Sequence, residues 1–258
     1  MIPLYADITE RFATFLWPML RISALLLTAP PFSGSALTTR IRIILAVALT
    51  WMVYPLHQWP DVDPVSSRGL IEIFNQILIG ASMGLILQVV VAAIVVGGQS
   101  ISAAMGLSMA NMIDPNVGNV PVFSQLLLSL STLIFVGFNG HALLIGLVLE
   151  SFHTFPIGTS VLTQDVFGRI VQWSSMMFIG AVLMALPVMA TLLFINIGLG
   201  IVTRAAPSLN IFAVGFPAMI ASGFIILILS LDSIGGRIRW LWQEGFFTAR
   251  ELLKITNG

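Results

Sequence analysis

The sequence predicts an all-α integral membrane protein of about six long, partly broken apolar helices. Only 11 Lys and Arg and 11 Asp and Glu stand among 258 residues, and 57% of the chain is hydrophobic. A soluble domain carries about 25% charged residues, so 9% is too few to cover its surface with solvated groups. The charges also leave long uncharged runs, the longest at 73–113, and about 20 apolar residues suffice to span a membrane.

The same composition excludes several classes of function. The net charge is zero, so the chain offers no basic face for nucleic acid. Cysteine is absent, which excludes disulfides, thiol catalysis and Cys-ligated metals. The first residues, 1–11, lack the basic region of a removable signal peptide, so the first apolar segment is expected to be an uncleaved anchor.

Hydropathy and helix-breaking residues place six helices and an amphipathic tail helix at about 10–29, about 40–55, from about 70, about 122–150, about 164–204, about 211–231 and 232–258. Pro30-Pro31 and Pro55 end the first two helices. As one helix, the run 73–113 would be ~60 Å long, about twice the hydrocarbon thickness. Gly97-Gly98 is therefore predicted to break it, and Pro187 is predicted to kink or break the fifth helix.

Arg21 lies midway along the first apolar segment, where a charge facing lipid costs at least ~2.5–3.5 kcal/mol. Either it reaches a helix end or the interface, or its helix faces protein or water. The loop charges give no consistent orientation either. Arg40, Arg42 and the basic tail prefer the cytoplasm, but six spans would place them on opposite sides. One segment therefore does not cross, or some helices are buried in a protein assembly.

The segment 97–125 is not typical of a regular span. It is uncharged except for Asp114 but rich in Gly, Ser, Asn and Met. Three methionines fall on one face of a helix: Met105, Met109 and Met112. Asp114-Pro115 ends that helix, and an irregular loop follows. The segment is either an extramembrane loop with a short core helix or a re-entrant constriction, gate or plug, for which adaptable Met is suited.

Two histidine patterns are weighed as metal or catalytic sites. Glu150-Ser-Phe-His153 has the Glu-x-x-His spacing of di-iron bundles, but a single copy predicts a capped helix end and no metal site. His141 stands inside an apolar helix and is expected to be a hydrogen-bonded core residue. The sequence contains no nucleophile–base pair, phosphate loop or dinucleotide fingerprint, so we expect neither catalysis nor a cofactor.

Repeated small residues indicate where helices approach closely, and one polar stretch indicates where two helices are joined. Small-xxx-small faces recur at 80–84, 137–146 and 198–200, which predicts packing within the chain or against obligate partners. The stretch 204–217 carries a charge, two prolines and an Asn between two apolar runs. Considered locally, it is a tight loop between helices.

Three motifs in this order, together with the length and the hydropathy profile, resemble the FliR family, the export-gate component of the bacterial flagellar type III secretion system. They are GLSMANMIDP at 106–115, FNGH at 138–141 followed by FHTFPIG at 152–158, and RAAPSLNIFAVGFP at 204–217. The resemblance covers nearly the whole chain. Injectisome relatives share the last motif, whereas FNGH followed by FHTFPIG is more similar to the flagellar branch.

The resemblance implies a single FliR-like domain, 1–258, with a FliP-like part at about 1–200 and a FliQ-like helical hairpin at about 201–258. It implies an obligate hetero-oligomer in which one copy of this chain packs, as helical hairpins, with several FliP-like and FliQ-like subunits. That assembly would lie in the bacterial inner membrane at the flagellar basal body, with much of the bundle on the periplasmic side. An FlhB-like protein would surround its cytoplasmic mouth, and unfolded flagellar subunits would pass through its centre.

The resemblance also implies a role for particular residues in a structural pore subunit that is not an enzyme. A loop near 105–123 is expected to plug the closed pore, with these residues: Met105, Gly106, Met109, Met112, Asp114, Pro115, Asn116, Gly118, Pro121 and Phe123. Gly106, Gly118 and the two prolines would be its hinges. The third motif implies a helix-junction and assembly role for Arg204, Pro207, Asn210, Phe212, Gly215 and Pro217.

Three alternatives stay open. An injectisome export gate is the alternative within the resemblance. A small-molecule secondary transporter would show inverted repeats and a midplane polar site; Arg21, Asp114, Glu150 and His141 are available, but no internal repeat stands out. An intramembrane enzyme would need a catalytic pair on facing helices, whereas the histidines are isolated in the sequence.

Overall fold

The computed structural model describes residues 2–34, 37–60, 62–107, 122–158, 164–206 and 211–254. These residues form helices and no strand, which confirms the all-α class. The α-helices are α1 Ile2–Thr28, α2 Thr39–Val53, α3 Ser67–Ala104, α4 Val122–Gly137, α5 Gly140–Thr154, α6 Gln164–Ser174, α7 Met176–Ala205 and α8 Ile211–Lys254, with a 3-10 turn at Tyr54–Leu56.

The described helices include four that are long and apolar enough to cross a membrane, or five if the bent pair α4 and α5 counts as one span. The hydropathy estimate of about six is close to this number. The difference arises at the first segment, whose apolar part, Phe12–Thr28, is shorter than a full span.

The predicted break at Gly97-Gly98 is wrong, because α3 runs through both glycines without interruption. A Cβ added at Gly98 would lie 2.7 Å from the Ser124 Cα, closer than carbon atoms can pack. Gly98 therefore allows α3 and α4 to pack closely. The stabilisation from this packing outweighs the low helix propensity of glycine.

The predicted single helix at about 122–150 is also wrong. The chain bends by 66° between α4 and α5. Asn139 precedes α5 with φ 60° and ψ 37°, the left-handed conformation that Asn tolerates better than most residues. FNGH is thus a helix–helix corner.

Two further helix boundaries differ from the prediction. The fifth segment is interrupted at Ser175, and α7 continues through Pro187. The sixth helix and the tail are one helix, α8, which runs through Gly235 and Gly236 without interruption. Buried residues recur at helical spacing along its second half: Ile234, Ile238, Leu241, Trp242, Phe246, Ala249 and Leu252.

The described chain forms two compact units. The first comprises Met1–Val89, Asn139–Ser174 and Glu244–Gly258. In it, α1, α2 and α5 meet in an apolar cluster that includes Ile22, Leu26, Leu49, Val53, Leu144 and Val148. Residues of α3, α6 and the end of α8 form a second cluster, which includes Ile79, Met83, Val166, Ala249 and Leu252. Gly84 allows the backbone of α3 to approach Thr28 of α1.

The second unit comprises Val90–Phe138 and Ser175–Gln243. Here α3 packs on α4 through Gly98 and on α7 through Gly97, next to Ala181. The Trp242 indole N–H donates to the Ser131 Oγ at 2.9 Å, which satisfies both polar groups in an apolar interior. This contact joins α8 to α4.

Candidate functional sites

The predicted gate segment leaves α3 at Met105 and Gly106. The Met105 side chain is fully buried, and Gly106 has φ 77°, a left-handed conformation that favours glycine. Met105 lies on Gly223 of α8, where its thioether occupies the space that a side chain would fill. The start of the segment is therefore fixed to α8.

At the other end of the segment, the described residues resume at Val122 and Phe123. Phe123 is buried, and its ring centroid lies 5.3 Å from that of Phe224 on α8. Beside it, the Ser124 Oγ donates to the Val95 carbonyl of α3 at 3.0 Å. Both ends of the segment are thus held by Gly223 and Phe224, neighbouring residues on one helix.

Of the ten predicted gate residues, the structure brings together Met105, Gly106 and Phe123. The other seven lie outside the described residues: Met109, Met112, Asp114, Pro115, Asn116, Gly118 and Pro121. The anchoring partners on α8 were not predicted, because no local pattern marks residues that contact a segment about a hundred positions away.

An apolar groove of about 430 Å³ lies near the start of this segment, in the second unit. Its lining comes from Ser100 and Ala104 of α3 and from Val182, Leu186, Met189 and Leu193 of α7. Much of the rest of α7 exposes large apolar side chains, among them Phe178, Phe194 and Ile201. A surface of this kind needs lipid or another apolar protein surface against it.

The helix-junction motif lies between two long helices. Arg204 is exposed in the last turn of α7, and Gly215 is buried while Pro217 is exposed within α8. Phe212 belongs to the first turn of α8. Pro207 and Asn210 lie outside the described residues. The motif thus covers the end of one helix and the start of the next.

Arg21 faces protein, as one of the two interpretations predicted. It is fully buried, and its Nη1 and Nη2 donate to the carbonyls of Ser151 and Phe155 at 2.6 and 2.7 Å. Ser151 lies in the last turn of α5, where its carbonyl also accepts from the Phe155 N–H at 2.9 Å, and Phe155 is the C-cap residue of the helix. A cation is favourable at this negative end of the helix dipole. Arg21 therefore caps α5.

A short chain of contacts balances the buried charge of Arg21. Its Nε donates to the Gln76 Oε1 at 2.7 Å, and the Gln76 amide donates to the Glu72 carboxylate at 2.5 Å. Its guanidinium also lies 4.4 Å from the Phe152 ring centroid. Three helices, α1, α3 and α5, meet in this network.

The Glu-x-x-His pattern separates into two different pairs. Glu150 forms an ion pair with Arg250, with 3.5 Å between Nε and Oε2. His153 instead pairs with His57, with 3.2 Å between the two Nε2 atoms. Burial lowers the pKa of His57 below its ordinary value, and His153 and Arg21 lower it further. Among the described residues, no three or more His, Asp or Glu side chains form a group that could hold a metal ion.

His141 is not the core residue that its apolar surroundings predicted. It is exposed in the first turn of α5, directly after the corner at Asn139. The error has a simple cause: in a membrane protein an apolar segment does not imply burial, because its outer face is apolar too.

Together these features define a membrane-embedded, all-α protein in which the described ends of the segment near 105–123 contact one helix, α8. Residues 12–245 match the model of the family described as "Bacterial export proteins, family 1". The FliR proteins of Escherichia coli K12 and Pectobacterium carotovorum are 35% and 36% identical over 233 and 248 residues. These alignments cover 90% and 96% of this chain and 89% and 95% of the relatives. Bacillus subtilis FliR is 31% identical over 255 residues, or 97% of this chain and 98% of the relative.

The chain belongs to the FliR family of bacterial export proteins. This confirms the prediction of a subunit of the flagellar type III export apparatus, a structural component and not an enzyme. It also places the chain in the membrane-embedded part of that apparatus.

Proposed function

We propose that this chain forms part of the conduit through which unfolded flagellar subunits cross the inner membrane, and that the segment near 105–123 closes it. The observation that carries the proposal is the anchoring of both ends of this segment on Gly223 and Phe224. Ends held by one helix limit how far the residues between them can reach. A segment fixed in this way can seal a passage and return to the same closed position.

The chain is proposed to work within an assembly that includes several FliP-like and FliQ-like subunits and one copy of itself. An FlhB-like protein would lie at the cytoplasmic mouth, and much of the bundle would lie on the periplasmic side. The support is the apolar span Asp165–Ala205, which includes α7 and of whose most apolar 18-residue window only 33% is buried among the described residues. The FliP-like part at about 1–200 and the FliQ-like hairpin at about 201–258 belong to the same proposal.

Co-expression tests the assembly. We expect this chain to co-purify in a stable complex when FliP-like and FliQ-like proteins from the same cell are produced with it. Omitting either partner should leave the chain aggregated or degraded, since its apolar faces then lack cover. Native mass spectrometry would give the subunit count. A chain that purifies alone as a monodisperse monomer, and transports a small molecule in vesicles, would favour the transporter alternative.

Deletion of 116–120 tests the gate. We expect the complex to assemble normally but to conduct ions in the closed state, because the deletion removes residues between the two anchors and leaves the anchors themselves. Membrane conductance and proton leak in cells would measure this. The control is Val65→Ala, in an exposed loop of the first unit. Assembled complexes that carry the deletion and stay impermeable would contradict the assignment.

No catalytic step is assigned to this chain, so export is expected to draw its energy from other components. A passive gate must be apolar and tight in the closed state, since a wet constriction would pass ions. The reported relatives are all flagellar proteins, and this supports flagellar over injectisome use.

A further inference from the structure

His57 and His153 lie together although 96 residues separate them in the sequence. His57 follows the 3-10 turn Tyr54–Leu56, and His153 stands in the last turn of α5. Their Nε2 atoms are 3.2 Å apart at an exposed position. The gate and the assembly surface do not account for this pair, and Glu150, the sequence neighbour in the Glu-x-x-His pattern, pairs with Arg250 instead.

The spacing of these nitrogens suits a metal ion. Two imidazoles that bind one tetrahedral Zn²⁺ at about 2.0–2.1 Å have their nitrogens about 3.3–3.4 Å apart. The observed 3.2 Å is close to that value, so a metal ion would need little movement of either ring. We propose that His57 and His153 form a binding site for a divalent transition-metal ion such as Zn²⁺ or Cu²⁺.

The surrounding residues hold His57 in position. Trp59 donates its indole N–H to the Tyr54 carbonyl at 2.8 Å, which fixes the loop that carries His57. The rings of His57 and Trp59 are 5.5 Å apart, and Trp59 meets Phe152 edge-on at 5.2 Å. Because Phe152 is the neighbour of His153 on α5, the same aromatic group positions both histidines. Preorganised ligands of this kind bind a metal with less ordering cost.

The chemistry of the donors decides the class of ion. Neutral imidazole binds Zn²⁺, Cu²⁺ and Ni²⁺, whereas Mg²⁺ and Ca²⁺ require oxygen ligands. A cavity of about 360 Å³, lined by His57, Gln58 and Phe152, opens beside His57. Its volume leaves room for water molecules to complete the coordination. With two protein ligands the site is open and of modest affinity, and Cu²⁺ should bind more tightly than Zn²⁺.

Metal binding would fasten the loop after α2 to the end of α5, close to where Arg21 caps that helix. A ligand that binds only the folded state raises its stability. The site is therefore proposed to stabilise this corner of the first unit, independently of the proposed gate.

Metal titration of the full chain tests the site. The chain is purified in complex with its partners through a tag without histidine, and binding of Zn²⁺ and Cu²⁺ is followed by calorimetry. We expect one ion per chain. His57→Ala and His153→Ala should each lower the affinity by about tenfold or more, since only one imidazole remains. Zn²⁺ should raise the melting temperature of the wild type but not of either variant.

His141→Ala is the matched control, because His141 is an exposed histidine on the same helix as His153. It should bind Zn²⁺ and Cu²⁺ like the wild type. His57→Gln and His153→Gln, which keep side-chain size, separate loss of a ligand from misfolding when circular dichroism shows unchanged helix content. Binding that persists in both folded Gln variants, or no binding in the wild type, would overturn the proposal.

Discussion

Replacing Arg21 with Met is expected to lower the stability of the chain by about 3–5 kcal/mol, the range observed when one partner of a buried charge network is removed. The substitution deletes the donors to the Ser151 and Phe155 carbonyls. It also leaves the Glu72 carboxylate, which is 4% exposed, without a balancing cation. Thermal or denaturant unfolding in detergent, followed by tryptophan fluorescence, would measure the loss.

Three further variants show where the effect arises. Arg40→Met removes an exposed arginine at the start of α2 and should change stability by about 0.5 kcal/mol or less. Arg21→Lys keeps the charge but cannot donate to Gln76, Ser151 and Phe155 at once, so its loss should be intermediate. Adding Glu72→Gln to Arg21→Met should recover part of the stability. An Arg21→Met chain as stable as the wild type would refute the capping role.

Gly98→Ala is expected to destabilise the second unit by about 1–3 kcal/mol, the usual cost of overpacking. The added methyl group would meet the backbone of Ser124 at 2.7 Å, and a backbone within a helix cannot move aside cheaply. Separation of α3 from α4 would also strain the Met105 and Phe123 anchors. We therefore expect this variant to unfold earlier and, in assembled complexes, to leak ions.

Gly198→Ala is the control for this effect. Gly198 also lies inside a helix of the second unit, but a Cβ added there meets no atom within 4 Å. Helix propensity alone then applies, and the second unit should become more stable by up to about 1 kcal/mol. If both substitutions changed stability equally, Gly98 would have no special packing role.

The sequence was sufficient for the fold class, the family and most helix ends. The scarcity of charge and the long uncharged runs are properties of the whole chain, and Pro30-Pro31 and Pro55 are strong local signals. The predictions failed inside helices. Gly97-Gly98 is a breaker in water, but α3 runs through it, because in an apolar environment an interrupted helix leaves backbone groups without partners. α7 likewise continues through Pro187, where either a kink or a break was predicted.

The candidate sites were also predictable only where local sequence carries the signal. The segment proposed as the gate was predicted from its composition, its methionine spacing and the resemblance to FliR, all of which are local or follow chain order. The anchors on Gly223 and Phe224, and the pairing of His57 with His153, were not predicted. Each depends on which helix faces which, and contacts between distant residues leave no mark on either local sequence.

The sequence by itself determined that this chain is an apolar, all-helical membrane protein of the FliR family, because composition and motif order suffice for that. Only the tertiary structure decided the role of its unusual charge. Considered from the sequence alone, Arg21 is a charge in the middle of an apolar segment, where exposure to lipid would be unfavourable. In the folded chain it ends α5 and joins residues 55 and 130 positions away. The free energy of a buried charge depends on the partners that folding places around it.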